Sequence, residues 1–181
     1  MNYQFSNDWV THRTNIWEKV IPKLSNKNNF LEVGSYEGRS AIWFIENGLS
    51  KNGEITCIDS DYKDVFDSNI NICLKNHSDK KLHKLTGYSY LQLALLISKQ
   101  KEFDLIYIDG SHLAKDVITD ACLCWNLLSL NGILIFDDYL LQHKYANAKI
   151  AIDLFVDMFK NNIVYLYIGD QFIIQKVLTR F

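Results

Sequence analysis

The sequence predicts a doubly wound α/β fold: a mostly parallel sheet, helices on both faces, and one reversed strand at its end. Three observations carry that expectation. From residue 29 onward, short apolar runs alternate with longer amphipathic stretches. Several of the short runs are apolar on both faces, as strands are when helices cover a parallel sheet from both sides. Finally, two strand-like runs near the C-terminus are joined only by Gly169–Asp170, a connection short enough to make only an antiparallel hairpin.

The elements follow in order. A leading helix is expected over residues 8–20, carrying Trp9, Ile16, Trp17 and Val20. Strands are expected at 29–33, 54–59, 81–86, 103–109 and 132–137, each rich in β-branched or aromatic residues, and the hairpin uses 162–168 and 171–178. Helices are expected between them at 37–48, 62–77, 88–99, 116–132 and 143–160. The clearest is 116–132, where Val117, Ile118, Ala121, Cys124, Trp125 and Leu128 share one face and Asn131–Gly132 supply a stop. Strand–helix alternation of this kind requires right-handed crossovers.

With 181 residues, one Pro (Pro22) and no Gly/Ser-rich linker or repeat, a single domain over 1–181 is expected, with 1–28 as a helical lead-in to a core at 29–181. Apolar residues make up 48% and charged residues 22%, which excludes wholesale disorder. The formal charge of −2, without a basic stripe, argues against a nucleic-acid partner. Cys57, Cys73, Cys122 and Cys124 lack zinc-ligand spacing and read as reduced thiols. No basic-then-apolar leader opens the chain, and no run approaches the roughly 18 apolar residues of a membrane span, so a cytoplasmic protein without a membrane partner is expected.

The candidate site lies where strands end. The first runs into "EVGSYEGRS", where Gly34 allows a tight turn and Gly38 a close helix start. A third glycine is missing, so the dinucleotide fingerprint is incomplete, and Glu32 suits a cationic ligand nearby. Asp59 ends the second strand, where such folds hold a ribose diol; Asp61 competes, but has a structural alternative as a helix cap. Gly87, Tyr88 and Ser89 follow the third strand, beside the place of an adenine. The fourth runs into "YIDGSH", with Asp109 and His112, and the fifth into "FDDY", with Asp137 and Asp138.

The order E-x-G-x-x-x-G, strand-end acid, "YIDGSH", "GILIFDDY" and terminal hairpin resembles the class I S-adenosylmethionine-dependent methyltransferases. Within them it is similar to the small metal-dependent O-methyltransferases of the macrocin-type group, from about residue 29 to the C-terminus. The resemblance implies a Rossmann-like seven-stranded sheet in the order 3-2-1-4-5-7-6 with strand 7 antiparallel. It also implies S-adenosylmethionine held by Glu32, Gly34, Ser35, Gly38, Asp59, Gly87, Ser89 and Asp109, and a small hydroxylated acceptor.

Strands four and five are neighbours in that order, so Asp109, Asp137 and Asp138 would surface together and repel one another unless a cation intervenes. The resemblance places Mg²⁺ or another divalent ion on these three acids, consistent with the taste of hard cations for oxygen ligands. It makes His112 the general base, since imidazole takes a proton near neutrality. Asp116 and Asp120 read as surface or helix-start acids, and His12, His77, His83 and His143 lack a partner at ligand spacing. Trp9 and Trp17 could cover the site or a partner subunit of a homo-oligomer.

Two other classes compete. One is a non-catalytic S-adenosylmethionine-binding or partner-regulating protein of the same fold, which retained binding without turnover would favour. The other is a nicotinamide-dependent oxidoreductase, against which the absent glycine and reversed hairpin both count.

Overall fold

A computed structural model of the protein describes residues 2–141 and 147–178. It contains a seven-stranded sheet in the order β3-β2-β1-β4-β5-β7-β6. The parallel strands are β1 (Asn29–Val33), β2 (Glu54–Asp59), β3 (Lys81–Thr86), β4 (Phe103–Ile108) and β5 (Leu128–Phe136). The hairpin strands β6 (Ile163–Ile168) and β7 (Phe172–Lys176) are antiparallel to each other, and β7 runs antiparallel to β5. Both the predicted order and the reversed strand are therefore observed.

Strand residues alternate between two cores. Phe30, Leu105, Tyr107, Ile133 and Ile135 face α1 (Thr14–Val20), α2 (Arg39–Trp43) and α3 (Val65–Asn76). Leu31, Val33, Ile106, Ile108, Leu134 and Phe136 face α4 (Ser89–Ser98), α5 (Ala114–Leu127) and α6 (Ala148–Phe159). The period of two and the double burial are what a covered parallel sheet demands.

Three boundaries differ from expectation. The fifth strand begins at Leu128, directly after α5, instead of at 132. Asn131 (φ 63°) and Gly132 therefore do not stop the helix; they bend the strand, at the register shift opposite Phe103–Leu105. A Cβ on Gly132 would lie 2.9 Å from Ser129 O and 3.1 Å from Asp104 O, so this bend excludes a side chain. The lead-in is less helical than expected, with a 3₁₀ turn at Thr11–Arg13 before a short α1. The helix expected from 37 starts at Arg39 and widens to a π turn over Phe44–Gly48. Residues 142–146, with His143 and the start of the helix expected over 143–160, lie outside the described residues.

Trp17 anchors the lead-in. Its fully buried ring packs 4.7 Å from Phe44, 5.0 Å from Trp43 and 5.5 Å from Tyr107, and its indole N–H donates to Gln171 Oε1 at 2.8 Å. Such aromatic contacts fix geometry as well as bury area. Among the described residues all four cysteines are free, and no helix is long and apolar enough to cross a membrane.

Candidate active site

Beyond the strand ends the parallel ladder continues by one backbone bond each. Gly34 N–H donates to Ile58 O, Asp109 N–H to Val33 O, and Asp137 N–H to Ile108 O, at 2.8 to 2.9 Å. The strand-end residues are thereby brought side by side at the carboxyl edge of the sheet, where ligands bind in open α/β folds. They line one cleft of about 1240 Å³, roomier than the few hundred cubic ångströms that one small ligand needs.

The turn after β1 is closely fitted. Gly34 has φ 89°, and a Cβ there would stand 2.0 Å from Asp109 O, so only glycine lets the first and fourth strand ends meet. Gly38 starts α2 with φ 83°. Asp59 Oδ2 accepts the N–H groups of Ser35 and Tyr36, both at 2.8 Å, and Oδ1 accepts Asp61 N–H at 2.8 Å. Three of the roughly four acceptor positions of that carboxylate are thus committed to the turn, leaving about one for a ligand hydroxyl. The two-oxygen grip expected of Asp59 is not free in this arrangement. Asp61 is exposed and paired with Lys63 at 2.6 Å, away from the cleft lining.

Glu32 is a correction. Its position on β1 points it into the core shared with Phe30, where it is fully buried, accepting Ser40 Oγ–H at 2.5 Å with Cys57 Sγ at 3.5 Å. Burial raises its pKa to about 7, against the lowering pull of Ser35, Ser40 and Cys57. The carboxyl group braces the turn from below and does not line the cleft. Asp120 is a second correction: it is buried rather than on the surface, lines the cleft, and titrates near 6 because of desolvation. Gly87, Tyr88 and Ser89 line the same end, with Tyr88 stacked on Tyr90 at 5.9 Å. Asp116 sits at the start of α5, accepting Ser111 Oγ–H at 2.7 Å, as expected of a helix-start acid.

At the other end the acids converge. Tyr107 Oη lies 2.9 Å from Asp109 Oδ2 and closer still to Asp137 Oδ2, and its single proton is shared between them. Asp138, in a left-handed conformation (φ 55°), has Oδ2 3.1 Å from His112 Nδ1. Into this cluster comes Arg13, a residue without a distinguishing motif in the sequence. Its Nη1 lies 2.7 Å from Asp137 Oδ1, close but off the hydrogen-bond line, and its Nη2 donates to Asp138 Oδ1 at 3.4 Å. Burial and the neighbouring carboxylates push Asp109 well above the carboxylate range, and burial raises Asp137 despite the attraction of Arg13.

The three acids therefore meet as expected, but the oxygens of Asp137 and Asp138 and one of Asp109 already face protein donors. Among the described residues no group of three or more His, Cys, Asp or Glu side chains is arranged to hold a metal ion. In this conformation the set does not fit the divalent site expected of Asp109, Asp137 and Asp138. The missed signal was a single cation four residues before Trp17: one helical turn puts Arg13 on the anchored side of the lead-in.

Comparison with known proteins places this cleft in context. The chain is 26% identical over 125 residues to the O-methyltransferase hkm8 of Aspergillus hancockii, covering 67% of this chain and 47% of that one. It spans about half the length of the curated relatives it matches. An O-methyltransferase from Bacillus cereus, solved in complex with SAH, superposes with a TM-score of 0.72 at 19% identity, over 98% of this chain and 84% of that chain. The MycE methyltransferase of the mycinamycin biosynthetic pathway, solved with Mg and SAH, superposes with a TM-score of 0.65 at 14% identity, over 97% and 51%. A family model described as a methyltransferase domain matches residues 31–139, from the first strand through Asp138 to Tyr139. More than half of the chain, including every strand end that lines the cleft, lies in that match, and the protein belongs to the methyltransferase-domain family.

Proposed function

We propose that this protein transfers a methyl group from S-adenosylmethionine to a hydroxyl of a small molecule. The observation that carries the reading is the His112–Asp138 pair in the same cleft as the Gly34 turn. When bound, S-adenosylmethionine supplies an electrophilic methyl on a sulfonium. The cleft suits such a cation, because it is lined by seven Asp or Glu residues against three Lys or Arg.

The chain's own residues divide the work. The Gly34–Gly38 turn, braced by Glu32 and Asp59, is the seat for the amino-acid portion, with Ser35 and Asp109 at its edge. Asp59 accepts one ribose hydroxyl, and Gly87 and Ser89 lie beside the base. Asp138 Oδ2, 3.1 Å from His112 Nδ1, favours the tautomer protonated at Nδ1, which leaves Nε2 as the lone-pair nitrogen for the acceptor hydroxyl. The imidazolium formed on proton transfer is stabilised by Asp138, and alignment of acceptor and methyl supplies much of the rate. The divalent ion implied by the resemblance has no step here, because Arg13 and His112 stand against Asp137 and Asp138, and Tyr107 against Asp109.

The test is calorimetric titration with S-adenosylhomocysteine, followed by transfer of labelled methyl to a panel of hydroxylated acceptors. Binding with turnover supports the reading. Absence of binding overturns it, and binding without turnover across the panel favours a non-catalytic binder.

A further inference from the structure

We propose that Arg13 is the resident cation of the Asp109–Asp137–Asp138 cluster and that its guanidinium excludes a divalent ion from those oxygens. The cluster borders the cleft that the methyltransferase reading uses, and its Mn²⁺ binding is measured independently of that reading. Four observations carry it. Arg13 contacts both acids of the pair, at 2.7 and 3.4 Å, and its side chain is only 10% exposed. Among the described residues it is the one Lys or Arg that pairs with Asp137 or Asp138. Its approach is not incidental, because Trp17, one turn on, is fully buried and hydrogen-bonded to Gln171. Tyr107 O–H stands between Asp109 Oδ2 and Asp137 Oδ2, and His112 Nδ1 lies 3.1 Å from Asp138 Oδ2.

Buried carboxylates this close together must hold a proton or meet a positive charge. A guanidinium supplies one unit, spread over a plane and offered through N–H groups. A divalent ion supplies two at a point, and needs oxygens aimed at one centre. The same oxygens cannot satisfy both arrangements, so guanidinium and ion compete. The lead-in thereby decides which chemistry the acid cluster performs. With Arg13 seated, the cluster acts as a holder for His112 through Asp138 and not as a shell of ligands for a metal ion.

The experiment is Mn²⁺ titration of the full chain, wild type and Arg13→Met, by calorimetry and by the shift in melting temperature, with S-adenosylhomocysteine affinity measured in parallel. Mn²⁺ is a suitable probe because carboxylate oxygens take it readily. The expected result is at least roughly tenfold tighter Mn²⁺ binding in Arg13→Met than in wild type, the scale on which neighbouring groups tune metal sites, with the gain removed by adding Asp137→Asn. Equal Mn²⁺ affinity in the two proteins, or binding by neither, overturns the proposal. Should Arg13→Met fail to fold, wild type and Arg13→Gln decide: wild-type Mn²⁺ binding that Asp137→Asn abolishes, or binding by neither protein, overturns the proposal, and binding by Arg13→Gln alone supports it. Loss of S-adenosylhomocysteine binding in the wild type would sink the methyltransferase reading without touching the Mn²⁺ comparison.

Discussion

Asp138 Oδ2 lies 3.1 Å from His112 Nδ1, joining the end of the fifth strand to the loop after the fourth. Asp138 adopts a left-handed backbone that an ordinary side chain disfavours, and its own N–H is held at 2.8 Å by Asp137 Oδ1. The strain and the bracing bond together aim one carboxylate at one imidazole.

His112→Gln should therefore lower turnover by about 10²–10⁴-fold, the usual scale for a lost general base, while S-adenosylhomocysteine affinity stays within about twofold. Asp138→Asn should lower turnover less, since the imidazole remains but loses its orienting charge. Single-turnover methyl transfer and calorimetry on the same samples separate the two effects. Unchanged turnover in His112→Gln would remove the residue from the mechanism.

Asp59→Ala should weaken both cofactor binding and the fold. Its carboxylate holds the N–H groups of Ser35, Tyr36 and Asp61, and hydrogen bonds to charged groups contribute on the order of 1.5–3 kcal/mol each. Asp61→Ala, in an exposed pair with Lys63, should change neither. Melting temperature and S-adenosylhomocysteine titration of the two variants check the contrast; a larger effect at Asp61 would exchange the roles.

Gly34→Ala should be severely destabilising. The added Cβ would meet Asp109 O at 2.0 Å from a backbone at φ 89°, and left-handed geometry alone costs a non-glycine residue roughly 1–2 kcal/mol. The clash adds to this by forcing apart the ends of β1 and β4. Chemical denaturation should show the loss, with cofactor affinity falling as well; a variant as stable as wild type would mean that the turn can relax.

Glu32 makes stability depend on pH. Its folded pKa of about 7 exceeds the ordinary carboxyl value of 4.5, so the folded state binds the proton more tightly than the unfolded chain does. The contribution is fully present below about pH 4.5 and is lost as pH rises through 7. Across that window it amounts to about 3 kcal/mol, from the shift at roughly 1.36 kcal/mol per pH unit. Glu32→Gln, which keeps an acceptor for Ser40, should flatten the stability curve between pH 4.5 and 7 in urea titrations. An unaltered curve would place the titration elsewhere.

The sequence alone determined the sheet. Apolar runs such as "FDLIYID" and "GILIFD" are local patterns whose periods report burial on two faces, and a link as short as the one at Gly169–Asp170, one residue longer in the structure, leaves one geometry for the hairpin. It also determined that Asp59, Asp109, Asp137 and Asp138 stand at strand ends, because strand ends are set by the same patterns. What it could not determine were contacts across long separations and the direction of individual side chains. Glu32 was one residue from the end of its strand, but the pleat turned it into the core. Asp120 was buried by packing that its helix position does not announce. Arg13 reached Asp138 across 125 positions, because Trp17 found its pocket among Trp43, Phe44 and Tyr107. Periodicity encodes which face of an element is buried; only the assembled tertiary structure decides which charge the buried acids meet.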